Sequence, residues 1–362
     1  MTDLDVLIPD IGRLVGVESP SRDVAALTES AGALGALIEE RTGRPPALVD
    51  GSAGPHVHWS GGGEPTVLLL GHHDTVFPLG TLAARPFTHG DGKLTGPGVF
   101  DMKTGIVLAI HAVATLDDPS GVEMLFTADE EVGSDSSRSL IEERAVACGN
   151  VLVLEPSADG GAIKTGRKGT GVFEVVVGGR AAHAGLEPEN GVNSLVEAAH
   201  QVLRIAAFAD PAAGTTVTPS VATAGTADNV VPAETRVRVD VRVATLEEKD
   251  RIEALMAGLT PVDPATSITV DGSIARPPMP EGASAILFPL AQALAPGITG
   301  RFVGGGSDGN FTAALGVPTL DGLGAVGGGA HADHEWVEVD ALMPRLDLIT
   351  GIVERLTRSR PS

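Results

Sequence analysis

The sequence has one cysteine, no tyrosine and few basic residues. With Cys148 alone, neither a disulfide framework nor a zinc site built from cysteines can form within the chain. Twenty-five Lys and Arg oppose 47 Asp and Glu, which gives a formal net charge of -22. Because a surface of that sign repels phosphate groups and anionic lipids, nucleic acid and membrane are poor candidates as partners.

The sequence also lacks a long apolar segment. No run approaches the roughly 20 apolar residues of a membrane-spanning helix. The opening residues Met1 to Asp5 have no basic region of the kind that starts a secretory signal peptide. The predicted compartment is therefore the cytoplasm.

Short apolar runs alternate with helical stretches in the first part of the chain. Residues 21–42 have the spacing of an amphipathic helix, with Ser21 as the predicted cap and Gly43 after the last turn. The strands and helices predicted after it are 66–70, 104–116, 122–128, 136–146 and 150–154. With 362 residues, the chain is long enough for two domains. The alternation predicts an α/β layer around a largely buried sheet.

The pattern changes near residue 168. Successive elements are predicted at 168–178, 190–208, 215–224, 234–243, 245–258 and 267–270. Their order, β-α-β-β-α-β, is that of the split βαβ sandwich. After residue 277 the α/β pattern resumes, which predicts a domain of residues 167–277 inserted into a domain of residues 1–166 and 278–362.

Two candidate ligands lie in the first half of the α/β region. His72 follows the apolar run 67–70, and Asp74 is placed to accept the second ring N–H of a metal-bound histidine. Asp101 lies in the Gly/Pro segment 96–103, just before a helix. Taken singly, a structural histidine and a helix N-cap are the commoner explanations.

Three further segments carry candidate ligands. Glu130 and Glu131 follow a hydrophobic strand, where adjacent like charges are costly unless a cation compensates them, although a solvated acidic turn is the simpler alternative. Glu155 continues an apolar strand, where an unpaired carboxylate is expensive to bury. His331 follows the glycines 327–329. Two histidines and several carboxylates together suit zinc, manganese or cobalt.

In its motifs the chain resembles the co-catalytic zinc carboxypeptidase and aminoacylase family. This family includes glutamate carboxypeptidases, acetylornithine deacetylases, succinyl-diaminopimelate desuccinylases and aminoacylases. The matching motifs are Gly71-His72-x-Asp74-Thr75-Val76, Gly96-Pro97-Gly98-x-x-Asp101-Met102-Lys103, Asp129-Glu130-Glu131-x-Gly133-Ser134, Glu155-Pro156 and His331. The resemblance implies a catalytic α/β domain with a central mixed sheet and an inserted ferredoxin-like α+β domain that serves as lid and dimerisation domain.

The resemblance also implies a role for each matched residue. Two divalent metal ions are expected, zinc first, with manganese and cobalt as alternatives. Their implied ligands are His72 and Glu155 for one ion, Glu131 and His331 for the other, and Asp101 as the bridge. Glu130 would be the general base and acid, and Asp74 would orient His72. A cis peptide would follow Asp101.

The inserted domain carries the substrate residues that the resemblance implies. His183, in the segment 179–185, is similar to a histidine that reaches a neighbouring subunit's active site and stabilises the oxyanion. Asn229 and Arg242 match positions that bind the free carboxylate of the substrate in the glutamate carboxypeptidase branch. Gly305 lies in a segment that resembles the family's glycine loop at the substrate site. A homodimer acting on a small N-acyl amino acid or peptide is therefore expected.

The implied activity is hydrolysis of an amide bond next to a free carboxylate. An N-acyl-amino-acid deacylase is the close alternative, and an acyl-transfer enzyme on the same scaffold a more distant one. A non-catalytic member would have lost Glu130 or a ligand, and all are present. The sequence departs from the family at His73, Thr104 and the segment 332–335, and it leaves the acyl group and the native metal open.

Overall fold

The computed structural model describes residues 3–358, so Met1 and Thr2 of the opening segment lie outside the described residues. The helices are α1 (Leu4–Val15), α2 (Val24–Thr42), α3 (Thr81–Ala84), α4 (Thr104–Ala114), α5 (Arg138–Cys148), α6 (Ser194–Ala206), α7 (Leu246–Ala257), α8 (Leu287–Leu294), α9 (Gly309–Ala314) and α10 (Leu342–Arg358). The strands are β1 (Ala47–Val49), β2 (His56–Ser60), β3 (Val67–His72), β4 (Thr88–Gly90), β5 (Lys93–Thr95), β6 (Val122–Thr127), β7 (Val151–Val153), β8 (Ile163–Arg167), β9 (Gly169–Gly178), β10 (Thr216–Ala224), β11 (Glu234–Val243), β12 (Ser267–Arg276), β13 (Gly300–Val303), β14 (Thr319–Leu320), β15 (Gly327–Gly328) and β16 (Trp336–Glu338).

A six-stranded mixed sheet in the order β1-β2-β6-β3-β7-β14 forms the centre of the α/β region. β6, β3, β7 and β14 run parallel to one another, whereas β2 is antiparallel to both of its neighbours, β1 and β6. The mixed α/β fold class predicted from the sequence is confirmed.

Strand β3 shows why the parallel strands of this sheet appear in the sequence as unbroken apolar runs. Val67 and Leu69 pack into the core formed with α1, α2, α4 and α10, while Leu68 and Leu70 pack into a second core with α5. Successive side chains of a strand point to opposite faces, so a strand covered on both sides needs apolar residues at every position.

Helix α2 matches its prediction except at its first turn. The N-cap is Asp23, whose side chain accepts the backbone N–H of Ala26, and the predicted cap at Ser21 is wrong. The hydroxyl of Ser21 instead donates to Asp74 at 2.7 Å, because the chain before the helix runs beside that residue. Gly43 ends the helix with φ 72°, a conformation that glycine adopts without strain.

Residues 167–279 and 304–306 form a second compact unit. It contains the antiparallel sheet β10-β11-β9-β12, with α6 between β9 and β10 and α7 between β11 and β12. This is the predicted β-α-β-β-α-β order. Alternate residues of β9, such as Phe173, Val175 and Val177, form its core with inward-facing valines of β11.

The first compact unit holds the rest of the chain, up to Gly166, over Pro280–Val303 and from Ser307 onward. Helix α4 starts three residues after Asp101 and packs closely on the sheet, since a side chain at Gly105 would collide with the carbonyl of Leu154. This close approach brings the Asp101 loop next to the end of β7. In the described part of the chain, no helix is both long and apolar enough to cross a membrane.

Candidate active site

The candidate residues of the first unit converge at one edge of the central sheet. His72 is the last residue of β3, Glu130 comes three residues after β6, and Glu155 comes two residues after β7. Because these three strands are parallel, their carboxyl ends meet at the same edge, where open α/β sheets place their ligands.

His72 is buried and held in one orientation. Its Nδ1 lies 3.0 Å from the carbonyl oxygen of Asp74 and 3.3 Å from the Oδ1 of that residue. Two acceptors at Nδ1 place the ring proton there, which leaves Nε2 directed at Asp101 Oδ1, 3.3 Å away, and Glu155 Oε1, 3.6 Å away. A histidine in this tautomer can coordinate a cation through Nε2.

Asp74 holds a second part of the site. It is fully buried, and its carboxylate accepts the backbone N–H groups of Glu130 at 3.2 Å and Glu131 at 3.3 Å. The hydroxyl of Ser21 donates to the same carboxylate. One side chain therefore fixes both the ring of His72 and the turn that carries the two glutamates.

Asp101 lies between the two histidines. It is not the N-cap of α4, since Lys103 has that position, and its φ of -116° and ψ of 95° are not helical. Its Oδ1 faces His72, and its Oδ2 lies 3.5 Å from Nε2 of His331. The expected cis peptide between Asp101 and Met102 is present.

His331 closes the group from the other side. It has φ 63°, a conformation uncommon for a residue with a side chain and enriched at functional sites. Its Nε2 lies 3.1 Å from Oε1 of Glu131. Half of the His331 side chain remains exposed, whereas only 7% of the Glu131 side chain does.

The donor set of these residues fits divalent cations. Ligand atoms of His72, Asp101 and Glu131 lie within 4.8 Å of one another, as do those of His72, Glu130 and Glu155. Oδ1 of Asp101 and Oε1 of Glu131 are buried and accept no well-aligned hydrogen bond from the residues that the structure describes. Buried carboxylate oxygens that face imidazole nitrogens without such a bond are the arrangement that zinc or manganese satisfies.

The electrostatics of the site agree with this donor set. Burial disfavours a charged ring at His72, but the carboxylates of Asp101 and Asp74 outweigh burial and raise the pKa of His72 well above its ordinary value. The carboxylates of Asp101 and Glu131 raise the pKa of His331 to about 10. Burial raises the pKa of Glu131. Without a cation, protons on the two histidines therefore balance the carboxylates.

His183 and Asn229 lie in the second unit. His183 is exposed, and its Nδ1 accepts the backbone N–H groups of Gly185 and Leu186, both at 3.1 Å. In the neutral ring the proton is therefore on Nε2. Asn229 is exposed and lies on the neighbouring segment, where its carbonyl accepts the N–H of Ala184 at 2.9 Å.

Arg242 and Gly305 also belong to the second unit. The guanidinium of Arg242 makes two hydrogen bonds to the carboxylate of Asp240, at 3.0 and 2.9 Å. The carbonyl of Gly305 accepts a hydrogen bond from Arg167, which is buried. A second buried arginine, Arg276, lies against the same glycine loop, because a side chain at position 306 would come within 3.4 Å of it.

Sequence reasoning missed two charged residues of the first unit. Lys164 lies in β8 with Nζ 3.8 Å from Oε2 of Glu155, and its positive charge helps to keep the pKa of Asp101 low. Glu335 is buried, and burial raises its pKa to about 7 although three backbone N–H groups donate to it. Glu335 lies four residues after His331, and this short distance along the sequence could have identified it as part of the site. No feature of the sequence identified Lys164.

The departure at His73 leaves the candidate ligands untouched. Its ring contacts Ser30 through Nδ1 and the carbonyl of Pro55 through Nε2, both at 3.1 Å. Burial lowers the pKa of His73 to about 4, so the ring is neutral.

Comparisons with known proteins identify relatives that match most of the chain. The model of Peptidase family M20/M25/M40 matches residues 68–355. Carboxypeptidase G2 of Pseudomonas sp. (strain RS-16) is 33% identical over 317 residues, which cover 81% of this chain and 74% of that protein. Succinyl-diaminopimelate desuccinylase 1 of Alteromonas mediterranea is 28% identical over 330 residues, which cover 82% of this chain and 84% of that protein. The crystal structure of aminopeptidase PepT from Bacillus cereus has the same fold, with a TM-score of 0.78 at 22% identity over 98% of this chain and 99% of that chain. The family predicted from the motifs is confirmed.

We expect metal affinity to rise with pH. In the metal-free protein His72 and His331 hold protons at neutral pH, because both pKa values are raised. A cation must displace these protons, so zinc binding should release up to two protons and should strengthen as the pH rises toward the pKa of His331, about 10. Calorimetry in buffers of different ionisation enthalpy measures the release.

Replacing His331 by Ala should reduce the number of protons released by one, whereas replacing the exposed His89 should leave it unchanged. Zinc binding that is independent of pH would contradict this account of the site.

Proposed function

The chain belongs to Peptidase family M20/M25/M40 and is a metal-dependent hydrolase, and we propose that it uses two divalent ions to hydrolyse an amide bond next to a free carboxylate. One observation carries the proposal: Asp101 lies between His72 and His331, with buried carboxylate oxygens of Asp101 and Glu131 that lack an aligned donor among the described residues.

The proposed ligands divide into two sets around Asp101. They are His72 and Glu155 for one ion, Glu131 and His331 for the other, and Asp101 for both. Zinc is the first candidate, and manganese or cobalt suits the same imidazole and carboxylate donors.

Glu130 is the proposed general base and acid. When bound, the two ions would supply polarisation of the scissile carbonyl and of the attacking water. The carboxylate of Glu130 would accept the proton of that water and return it to the leaving nitrogen. Its placement supports this role, since its ligand atom lies within 4.8 Å of those of His72 and Glu155, and Asp74 holds its backbone N–H.

His183 is the proposed donor to the oxyanion. Because the backbone N–H groups of Gly185 and Leu186 occupy Nδ1, the Nε2–H of the neutral ring is the available donor. A donor oriented before the reaction stabilises developing charge without reorganising.

Arg242 is the proposed partner of the substrate carboxylate, with Asn229 assisting and Gly305 lining the site. A guanidinium binds a carboxylate through two parallel hydrogen bonds, and Arg242 already binds Asp240 in this way. Arg276 is a second candidate. Thr170 of β9 pairs with Arg242 of β11 on one side and with Arg276 of β12 on the other, so the two arginines lie two strands apart at the same level of the sheet.

The names of the relatives support two substrate classes. The likeness to carboxypeptidase G2 supports cleavage at a carboxyl-terminal residue. The likeness to the desuccinylase supports removal of an acyl group from an amino acid. The first is our leading proposal because of its higher identity, and an N-acyl-amino-acid deacylase is the alternative.

Replacing Glu130 by Gln should abolish most turnover while zinc stays bound. Loss of a general base costs roughly 10²–10⁴-fold in kcat. The assay uses dipeptides, glutamyl conjugates and N-acyl amino acids, each beside its carboxamide form, and zinc content is measured in the same samples.

The matched control is Asp135→Asn, which removes an exposed acid five residues away and should behave as wild type. Turnover of Glu130→Gln near the wild-type rate would show that the base is another residue. Equal hydrolysis of the carboxamide forms would exclude the free carboxylate as a requirement.

Replacing Arg242 by Ala should raise KM for carboxylate substrates roughly ten- to hundredfold, the value of a charge-assisted bidentate contact. The comparison includes Arg276→Ala and, as control, Arg236→Ala, an exposed arginine on the same strand that pairs with Glu234. An unchanged KM for Arg242→Ala with a raised KM for Arg276→Ala would move the carboxylate site to Arg276.

The second unit is the proposed dimerisation domain. Strand β10 is an edge of its sheet, and most of its residues are exposed. Helix α6 exposes 55% of Val196 and 73% of Leu203, which lie seven residues apart on one face, and Val221 of β10 is 53% exposed. An edge strand beside exposed apolar residues suits pairing with a second copy.

In such a homodimer, His183 would serve the active site of the partner. A mixed dimer of one Glu130→Gln chain and one His183→Ala chain then has one complete site and should show about half the wild-type turnover per dimer. Co-expression with two affinity tags isolates this species. An inactive mixed dimer would show that His183 acts within its own chain, and a monomeric wild type would refute the dimer.

A further inference from the structure

Glu335 is a buried carboxylate that the proposed reaction does not use. Only 2% of the residue is exposed. Its Oε2 accepts the backbone N–H of Gly98 at 2.9 Å, and its Oε1 accepts those of Phe100 at 2.8 Å and Asp101 at 2.7 Å. Both oxygens are thus engaged by one loop from a distant part of the sequence.

The loop that binds Glu335 has little regular structure of its own. Asp101 has non-helical dihedral angles, and helix α4 begins only at Thr104. Backbone N–H groups outside a helix or sheet need another acceptor when they are buried. Glu335 supplies that acceptor for three of them, so its position determines where the backbone of Asp101 lies.

The segment that contains Glu335 also carries His331. Two turn hydrogen bonds make this segment compact, one from the N–H of Ala332 to the carbonyl of Gly329 and one from the N–H of Glu335 to the carbonyl of Ala332. Strand β16 follows directly and pairs with β5, which ends one residue before the loop segment 96–103. Glu335 extends this connection to Asp101, whose Oδ2 lies 3.5 Å from Nε2 of His331.

We infer that Glu335 is a positioning residue of the metal centre. It holds the carboxylate of Asp101 in place beside His331 before the cations bind. The inference rests on the proposed two-metal function. Glu335 itself contacts backbone, so its effect passes through Asp101. Outer residues that orient a ligand typically contribute 10–100-fold to metal affinity.

A purely structural role would have different consequences. A residue that only stabilises the fold changes the unfolding temperature, but the folded protein still binds metal with the original affinity. A residue that preorganises a ligand changes the affinity itself, and activity lost at low free metal returns when metal is raised.

The test compares Glu335→Gln with Glu338→Gln. Gln keeps the size of the side chain, but its NH2 group is a donor and would face a backbone N–H that needs an acceptor. Glu338 is an exposed acid in β16, so its replacement makes the same charge change on the same segment. Zinc affinity and stoichiometry are measured by chelator competition on the metal-free proteins, with unfolding temperature and turnover at buffered zinc.

For Glu335→Gln we expect zinc affinity to fall roughly 10–100-fold at one or both sites. Turnover lost at low free zinc should recover at high zinc, and Glu338→Gln should match wild type. Glu335→Asp keeps the charge but shortens the reach, and it should also bind zinc more weakly. This second variant keeps the test valid if the Gln variant does not fold.

Wild-type zinc affinity in folded Glu335→Gln would overturn the inference, as would a loss of turnover that zinc does not restore. Failure of both Glu335 variants to fold would also overturn it, because Glu335 would then be required for folding. If the wild-type protein binds fewer than two zinc ions, the proposed two-metal function fails, so the zinc stoichiometry of the wild type separates that failure from a failure of the inference.

Discussion

Mutual repulsion among buried carboxylates is the constraint around which this site is built. Asp101, Glu131 and Glu155 lie where little water can reach them, and their charges must be balanced by something other than solvent. In the protein alone, protons on His72 and His331 provide the balance. Divalent cations would provide it more fully, because they satisfy several oxygens at once.

The surrounding residues oppose that repulsion by fixing backbone. Asp74 holds the turn of Glu130 and Glu131 through two N–H groups, and Glu335 holds the Asp101 loop through three. These contacts cost little at the moment of metal binding, since the donors are already placed. The parallel strands contribute in a different way, by ending at one edge of the sheet.

The proposed metal ligands and the proposed substrate-binding residues lie in different compact units. Every proposed metal ligand lies in the first unit. His72, Glu131 and Glu155 lie at or just after the ends of strands in a sheet buried on both faces, and such packing gives ligands the rigidity that coordination needs. His183, Asn229, Arg242 and Gly305 lie in the second unit, which has its own core.

The sequence by itself determined the family, the β-α-β-β-α-β order of the second unit and the candidate ligands. Apolar periodicity is a local property, so β3, β6, β7 and the β-α-β-β-α-β region could be predicted. The motifs supplied the candidate ligands because each motif spans only a few consecutive residues. Tertiary structure alone decided that Ser21 binds Asp74 rather than capping α2, and that Glu335 binds the loop of Asp101. Glu335 and Asp101 are 234 residues apart, and the hydrogen bond between them depends on distances of a few ångströms that no local pattern of residues encodes.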